Sequence, residues 1–264
     1  MALDNILALF LLPFFGTLSD KCKSKSGRRT PFIRFGTTVA VIALVGLSFV
    51  DNMQLNQIRD VSTVDDPAAL EVIYDSQANS ELQTPSGTKF VLSEKFTRKE
   101  FSQIRSTGDI KDVTNHDEEK TPYTSYVVPA RQAYAAQMTS SNPTPLILFI
   151  CVLLVLLVAM GTFRSPAVAL MPDVTLKPLR SKANAIINLM GNAGGIIVLL
   201  LGMGFAFGIS SAKNAMMSYT FYYITIAAVM LSALIIFLVT VKEPKWAAQM
   251  QSDAIRYNIE ESSE

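Results

Sequence analysis

Six lysines and arginines lie between two apolar stretches of the sequence, directly after a single aspartate. They fall within residues 21–34 and are Lys21, Lys23, Lys25, Arg28, Arg29 and Arg34. The aspartate, Asp20, follows Gly16 by four residues, so the two share one face if this run is helical. A carboxylate at the carboxyl end of a helix opposes the helix dipole by about 0.3–1 kcal/mol. Asp20 therefore needs a compensating partner, which Arg28 or Arg29 can supply, and Gly16 allows a second helix to approach.

Arg164 lies within a later apolar stretch, two residues before Pro166 and nine before Asp173. An arginine in hydrocarbon costs about 2.5–3.5 kcal/mol on insertion scales, so it usually faces a cavity or a carboxylate. We predict a coupling or gating role for Arg164 and Asp173. The alternative is structural: Arg164 reaches the membrane interface or pairs with Asp20 or Asp173.

Three asparagines recur every four residues further along the chain, at Asn184, Asn188 and Asn192, beside Gly191 and Gly195. On a helix these form one polar and one close-packing row. Amides are costly toward lipid, so we expect them to face protein or a water-filled path. Asn188 and Asn192 are candidates for contact with substrate hydroxyls, and hydrogen bonding between helices is the alternative.

These residues belong to five apolar stretches, which cover 1–18, 32–50, 146–171, 185–209 and 217–241. About 20 residues of helix cross the core of a bilayer, so we predict five membrane-spanning helices. Asp4 and Asn5 lie at the outer end of the first helix and are further candidates for contact with substrate.

The charges between these stretches predict the orientation. Besides the cluster at 21–34, basic residues follow the third and fifth stretches at Lys177, Arg180, Lys182, Lys242, Lys245 and Arg256. Lysine and arginine near span ends favour the cytoplasm. Residues 19–31 and 242–264 are therefore predicted to be cytoplasmic parts of a multi-pass plasma-membrane protein, with the bacterial inner membrane favoured.

Residues 51–143 are polar and hold fourteen acidic and nine basic residues. We predict a small extracytoplasmic insert of mixed or irregular structure, in which "EVIYD" and "TKFVLSE" are candidate strands and "VPARQAYAAQM" a candidate helix. His116 is interpreted as a solvated member of a charge run. The predicted organisation is 1–50, two helices with their loop; 51–143, the insert; 144–241, three helices; and 242–264, a tail.

Two longer stretches carry a family resemblance. "PFFGTLSDKCKSKSGRRTPFI" resembles the loop between transmembrane helices two and three of the major facilitator superfamily. Its spacing is similar to the branch of the glycoside-pentoside-hexuronide cation symporters and the sucrose-transporter-like proteins. "FRSPAVALMPDVTLKPLRSKANAIINLMGNAGG" is similar to helix four, its loop and helix five of that branch. The fold implied is an all-α membrane protein, the amino-terminal half of such a transporter.

The resemblance implies proton-coupled uptake of a sugar or glycoside by alternating access. It implies that Gly16, Asp20, Arg28 and Arg29 form a cytoplasmic latch, whereas the bland alternative is that the basic cluster only fixes topology. The acidic residues that sodium-using members place before the Pro-x-x-Gly of helix two are replaced here by two apolar residues, Leu12 and Ala8. Proton coupling is therefore favoured over sodium coupling.

The first stretch is similar to helix two of the family, and the tail is similar to the linker between its two halves. We therefore expect helix one and the carboxy-terminal half to be missing, as in a gene fragment, a misassigned start or a split transporter. The expected partners are the lipid bilayer, a sugar, a proton and the missing half, and not nucleic acid.

A rival interpretation belongs to a different class of function. It is a non-transporting membrane protein whose segment 51–143 binds a ligand or partner while the helices anchor it. Catalytic motifs and metal-ligand or disulfide spacings are absent from the sequence, so neither an enzyme nor a cofactor is predicted.

Overall fold

The computed structural model describes residues 2–106, 121–205 and 217–259, with side chains from residue 6 onward. Four helices in this part of the chain are long and apolar enough to cross a membrane: Thr30–Gln57, Thr144–Val174, Lys177–Gly204 and Thr220–Thr240. The chain is therefore a largely helical, multi-pass membrane protein. The first predicted span is also helical, at Ala2–Asp20, and its side chains are described from Ile6 onward, so a count of five spans is not established.

The helices are numbered in chain order. They are α1 (Ala2–Asp20), α2 (Thr30–Gln57), α3 (Pro67–Gln77), α4 (Leu92–Lys95), α5 (Arg98–Ser102), α6 (Val128–Ser141), α7 (Thr144–Val174), α8 (Arg180–Gly204), α9 (Thr220–Thr240) and α10 (Glu243–Arg256). Two short strands, β1 (Glu81–Gln83) and β2 (Lys89–Val91), form an antiparallel pair. Residues 206–209 of the predicted fourth span lie outside the described residues.

The chain forms two compact units. The first comprises Met1–Ser48, Ile150–Leu200 and Phe221–Glu264, and the second comprises Phe49–Phe149 and Leu201–Thr220. Each has its own packing, which is given separately below.

Small residues determine how α7 packs in the first unit. A Cβ atom added to Gly36 of α2 would lie 2.9 Å from the carbonyl oxygen of Ala159 on α7. A Cβ atom added to Gly16 of α1 would lie 3.1 Å from Oγ of Ser165. Such close approach of backbones is the usual basis of helix association in lipid, where apolar surface alone gives no preference for a helix over an acyl chain.

The second unit has a hydrophobic core of its own. Its fully buried members include Val61, Leu70, Ile73, Leu92 and Phe101. Helix α3 begins where the Asp66 side chain accepts a hydrogen bond from the Ala68 amide, with proline in the first turn. Thr97 and Glu100 form a capping box at the start of α5.

Of the three local predictions for residues 51–143, one is wrong. "EVIYD" lies inside helix α3 and is not a strand. The helix cap at Asp66 and the burial of Leu70 and Ile73 on one helical face outweigh the β propensity of Val72 and Ile73. The strand in "TKFVLSE" is confirmed for Lys89–Val91, and the helix in "VPARQAYAAQM" is confirmed as α6. His116 lies outside the described residues.

Among the described residues of the second unit, Arg131 is the largest fully buried side chain. Its Nη2 donates a 2.6 Å hydrogen bond to the Val61 carbonyl, and its Nη1 donates to the Thr63 carbonyl at 3.4 Å. Burial lowers the pKa of Arg131, and the charges of Tyr123 and Asp65 oppose that effect. Arg131 therefore joins α6 to the turn that precedes α3.

A methylene deletion tests this core. Replacing Ile73, which is fully buried, with valine should lower the free energy of unfolding of the second unit by about 0.5–1.5 kcal/mol. The neighbouring Val72 is 40% exposed, so Val72→Ala removes more atoms yet should change stability by less than about 0.5 kcal/mol. Amide hydrogen exchange of α3 in the detergent-solubilised chain measures both. Equal losses would contradict the burial described.

Candidate functional site

Arg29 lies at the centre of a cluster of charged side chains in the first unit. The residue is 6% exposed. Its Nε donates to Oδ2 of Asp173 at 2.9 Å, and its Nη2 forms an ion pair with Asp20. Its Nη1 donates to Oγ of Ser19 at 2.5 Å. The expected cationic partner of Asp20 is therefore Arg29, which also binds the carboxylate near the end of α7.

The same contacts set the protonation of Arg29. Burial by itself lowers the pKa of the guanidinium, but the hydrogen bond and charge of Asp173, with the charge of Asp20, raise the pKa above its ordinary value. Arg29 thus remains a permanent cation between two carboxylates. Removing it would leave a largely buried Asp173 and a half-exposed Asp20 without compensation.

The other cations of the loop contribute much less. Arg28 reaches Oδ2 of Asp173 only at 3.4 Å, and its side chain is 54% exposed. Lys21, Lys23 and Lys25 form no ion pair with the part of the chain that the structure describes. These three lysines fit the topological interpretation of the basic cluster, whereas the side chain of Arg29 connects two carboxylates.

A second carboxylate contact holds the beginning of α2. Glu243, at the start of α10, is 4% exposed. Its Oε1 accepts hydrogen bonds from the Arg28 amide at 2.6 Å and the Arg29 amide at 3.0 Å. Its Oε2 accepts from the Thr30 amide at 2.8 Å and the Thr30 hydroxyl at 2.7 Å. Glu243 therefore caps α2 from a distant point of the chain and places a negative charge at the positive end of the helix.

Gly27 makes this cap possible. Its φ of +110° lies in the region that favours glycine. A Cβ atom added at Gly27 would clash with the carboxylate of Glu243. Any residue other than glycine would therefore displace that carboxylate. The glycine of the Gly27-Arg28-Arg29 triplet is thus required by both its backbone angle and its neighbour.

The cluster joins elements that are far apart in sequence. It connects the carboxyl end of α1, the start of α2, the region near the carboxyl end of α7 and the start of α10. Two cations and three carboxylates participate: Arg28, Arg29, Asp20, Asp173 and Glu243. A groove of about 720 Å³ beside Arg28 and Asp173 is lined mainly by α10. Such a set of contacts can hold four helix ends together.

The remaining predicted residues lie apart from this cluster. Arg164 is exposed on α7 and has no ion pair or hydrogen bond with the described residues, so pairing with Asp20 or Asp173 is not observed. Asn188 and Asn192 are exposed on α8. Asp4 and Asn5 belong to α1, but their side chains lie outside the described part.

Sequence reasoning missed Glu243 and Ser19. Glu243 is the only acidic residue among the basic residues that directly follow the last span, and Pro244 after it marks the start of a helix. That combination is the signal that could have identified it. Its target, however, is 213 residues away, and periodicity does not reveal such a contact.

Within the described ranges, no group of three or more histidine, cysteine, aspartate or glutamate residues could hold a metal ion. Comparisons of the chain with protein-family models, with curated proteins and with solved structures found no match. The fold and the site together define a multi-pass helical membrane protein with a charged cluster at its helix ends.

Proposed function

We propose that the chain is part of a secondary active transporter that moves a sugar or glycoside together with a proton by alternating access. In this proposal the protein lies in a plasma membrane, with the bacterial inner membrane favoured, and the loop before α2 and the tail after α9 are cytoplasmic. The basic residues that flank these helices support that orientation.

The observation that carries the proposal is the burial of Arg29 between Asp20 and Asp173, next to a helix end capped by Glu243. Helices that only anchor a domain need no such connection among their ends. A protein that alternates between two states needs such a connection, because reversible polar contacts can stabilise one state and break in the other. The latch proposed for Gly16, Asp20, Arg28 and Arg29 thus extends to Asp173 and Glu243.

Arg164 is the proposed residue for coupling or gating in the transport path. Its side chain is exposed in the carboxy-terminal third of an apolar helix and has no counter-charge among the described residues. An unpaired arginine at such a position typically lines a water-filled cavity. The amides of Asn188 and Asn192 are available either for substrate hydroxyls or for another helix.

A second candidate function has its own support. The second unit has a hydrophobic core, which a disordered connector would lack. It is therefore suited to bind a ligand or partner while the helices serve as an anchor. In that case the charged cluster would affect stability alone.

Uptake of labelled mono- and disaccharides, driven by a proton gradient, into vesicles containing the full-length transporter of which the chain is proposed to be a part tests the proposal. We expect Asp20→Asn to lower coupled uptake at least tenfold while the amount of folded protein in the vesicles stays within twofold. Asp20 is the right target because its side chain is 54% exposed, so its loss should cost little stability.

Lys21→Gln is the matched control. It removes one charge from the adjacent residue, which has no ion pair with the described residues, and it should leave uptake unchanged. Uptake by Asp20→Asn at the unsubstituted rate would contradict the latch. Absence of gradient-driven uptake by the unsubstituted full-length transporter would favour the anchor.

A further inference from the structure

Three of the apolar helices carry one described acidic side chain each. These are Asp20 on α1, Asp51 on α2 and Asp173 on α7. Asp20 and Asp173 both pair with Arg29. Asp51 is partly buried near the carboxyl end of α2 and forms no ion pair with the described residues. It is therefore the carboxylate, among these three, whose charge no described cation compensates.

Asp51 holds the start of α9. Its Oδ2 accepts a hydrogen bond from the backbone amide of Tyr219, the residue directly before α9, at 2.9 Å. Beside it, Nδ2 of Asn52 donates to Oγ1 of Thr220 at 2.7 Å. The first contact involves an acidic group, and the second joins two neutral groups. Only the first contact can therefore respond to a proton.

A proton on Asp51 disturbs fewer contacts than a proton on the other carboxylates described above. Protonating Asp20 or Asp173 would break its ion pair with Arg29. Protonating Glu243 would disturb four hydrogen bonds to the beginning of α2. Asp51 accepts one hydrogen bond from the described residues. Of these four carboxylates, Asp51 is therefore the best suited to gain and lose a proton.

Proton binding changes how Asp51 holds α9. The carboxylate becomes a neutral acid, and no other covalent bond is made or broken. A neutral carboxyl oxygen is a weaker acceptor, because a hydrogen bond to an ionised group is about twice as strong as one between neutral groups. The contact with the Tyr219 amide therefore weakens, whereas the contact between Asn52 and Thr220 keeps its strength.

The surroundings of Asp51 determine which other groups could produce a pH response. Helix α9 brings the phenol of Tyr219 near, and a phenol keeps its proton where carboxyl groups titrate. The end of α6 packs on this end of α2 through neutral groups, and residues 135–143 contain no charged side chain. The only cation in the sequence between α8 and α9 is Lys213, which lies outside the described residues. An experiment on Asp51 must therefore include Lys213.

We propose that Asp51 is the extracytoplasmic binding site for the transported proton, and that the proton weakens its contact with the start of α9. The inference rests on the proposed transport function and identifies the carboxylate that takes up the proton. The predicted orientation places this end of α2 outside, where the proton enters. In a protein whose helices only anchor a domain, Asp51 would be a permanent cap without a response to pH.

Hydrogen exchange at the Tyr219 amide of the detergent-solubilised full chain tests the proton site. We expect the protection of this amide, relative to an unstructured peptide, to fall at least tenfold between about pH 7 and about pH 4. Asp51→Asn should show the lower protection at both pH values, because its side chain is neutral throughout. Asp60→Asn is the matched control. Asp60 is exposed and forms no hydrogen bond or ion pair with the described residues, so its loss should leave the tenfold fall in place.

Two exchange results would overturn the site. If protection in the unsubstituted chain stayed constant down to about pH 4, Asp51 would be a structural cap only. If the fall appeared only in Lys213→Gln, Lys213 would keep the carboxylate charged in the unsubstituted chain. Neither measurement uses uptake, so their outcome is separate from that of the transport proposal.

Uptake by the full-length transporter tests the use of the proton. Asp51→Asn should lower gradient-driven uptake at least tenfold, and Asp60→Asn should leave it within twofold. Uptake by Asp51→Asn at the unsubstituted rate would overturn the coupling role of Asp51. If the Tyr219 amide responds to pH as expected while the unsubstituted transporter takes up no sugar, the transport proposal fails and proton binding by Asp51 stands.

Discussion

Replacing Arg29 with methionine should destabilise the first unit by about 3–5 kcal/mol. The substitution keeps only the apolar stem of the side chain and leaves Asp173 and Asp20 without their shared cation. Arg29 and Asp173 are largely buried, and removing one member of such an ion pair has costs of this size. It also removes the hydrogen bond to Ser19. Denaturant titration of the chain in mixed micelles, followed by circular dichroism, measures the loss.

Arg28→Met is the control for this experiment. The two arginines are adjacent, but Arg28 is half exposed and reaches Asp173 only at 3.4 Å, so its loss should cost about 0–1 kcal/mol. The double variant Arg29→Met, Asp173→Asn should regain part of the lost stability, since it removes the uncompensated carboxylate with the cation. Equal losses for the two single variants would contradict a central role for Arg29.

Glu243→Gln should have an effect of similar size, about 3–5 kcal/mol, for a different reason. The carboxylate accepts hydrogen bonds from three consecutive backbone amides and one hydroxyl. The NH₂ group of a glutamine cannot accept, so the donors that face it would lose their partner. The substitution also removes the negative charge at the amino end of α2. Hydrogen exchange at residues 28–30 should become faster by at least a hundredfold.

Asp253→Asn makes the same chemical change within α10, at a residue whose side chain has no hydrogen bond or ion pair with the described part of the chain. It should leave exchange at residues 28–30 and the free energy of unfolding unchanged, within about 0.5 kcal/mol. If Glu243→Gln left exchange at these amides slow, the capping role of Glu243 would be wrong, whatever happened to global stability.

The sequence predicted the parts of the structure that depend on local physics. Hydrocarbon-length stretches identified the long helices, and the cost of a carboxylate at a helix end indicated that Asp20 needs a cationic partner. The failures have physical causes. "EVIYD" was read as a strand because tertiary burial on one helical face is not visible in five residues. Glu243 was missed because its partners come from the opposite end of the chain.

Other assignments depended on partners that the described chain does not contain. The periodic asparagines of α8 were recognised, yet they are exposed among the described residues, so local periodicity could not say what they contact. For Arg164, three roles were open, and the structure removes only pairing with Asp20 or Asp173. The roles of Arg164 and of the α8 asparagines depend on what these residues bind. The secondary-structure propensity of a residue carries no information about its binding partners.

The order of synthesis gives the cap on α2 a further meaning. Glu243 is made 213 residues after Thr30, which at about 5–20 residues per second is a delay of about 10–40 s on the ribosome. Throughout that time the first amides of α2 must be satisfied by water or by the insertion machinery. Closure of the cluster is therefore a late event in biogenesis, and a nascent chain interrupted before residue 243 would expose an uncapped, positively charged helix end to cellular quality control.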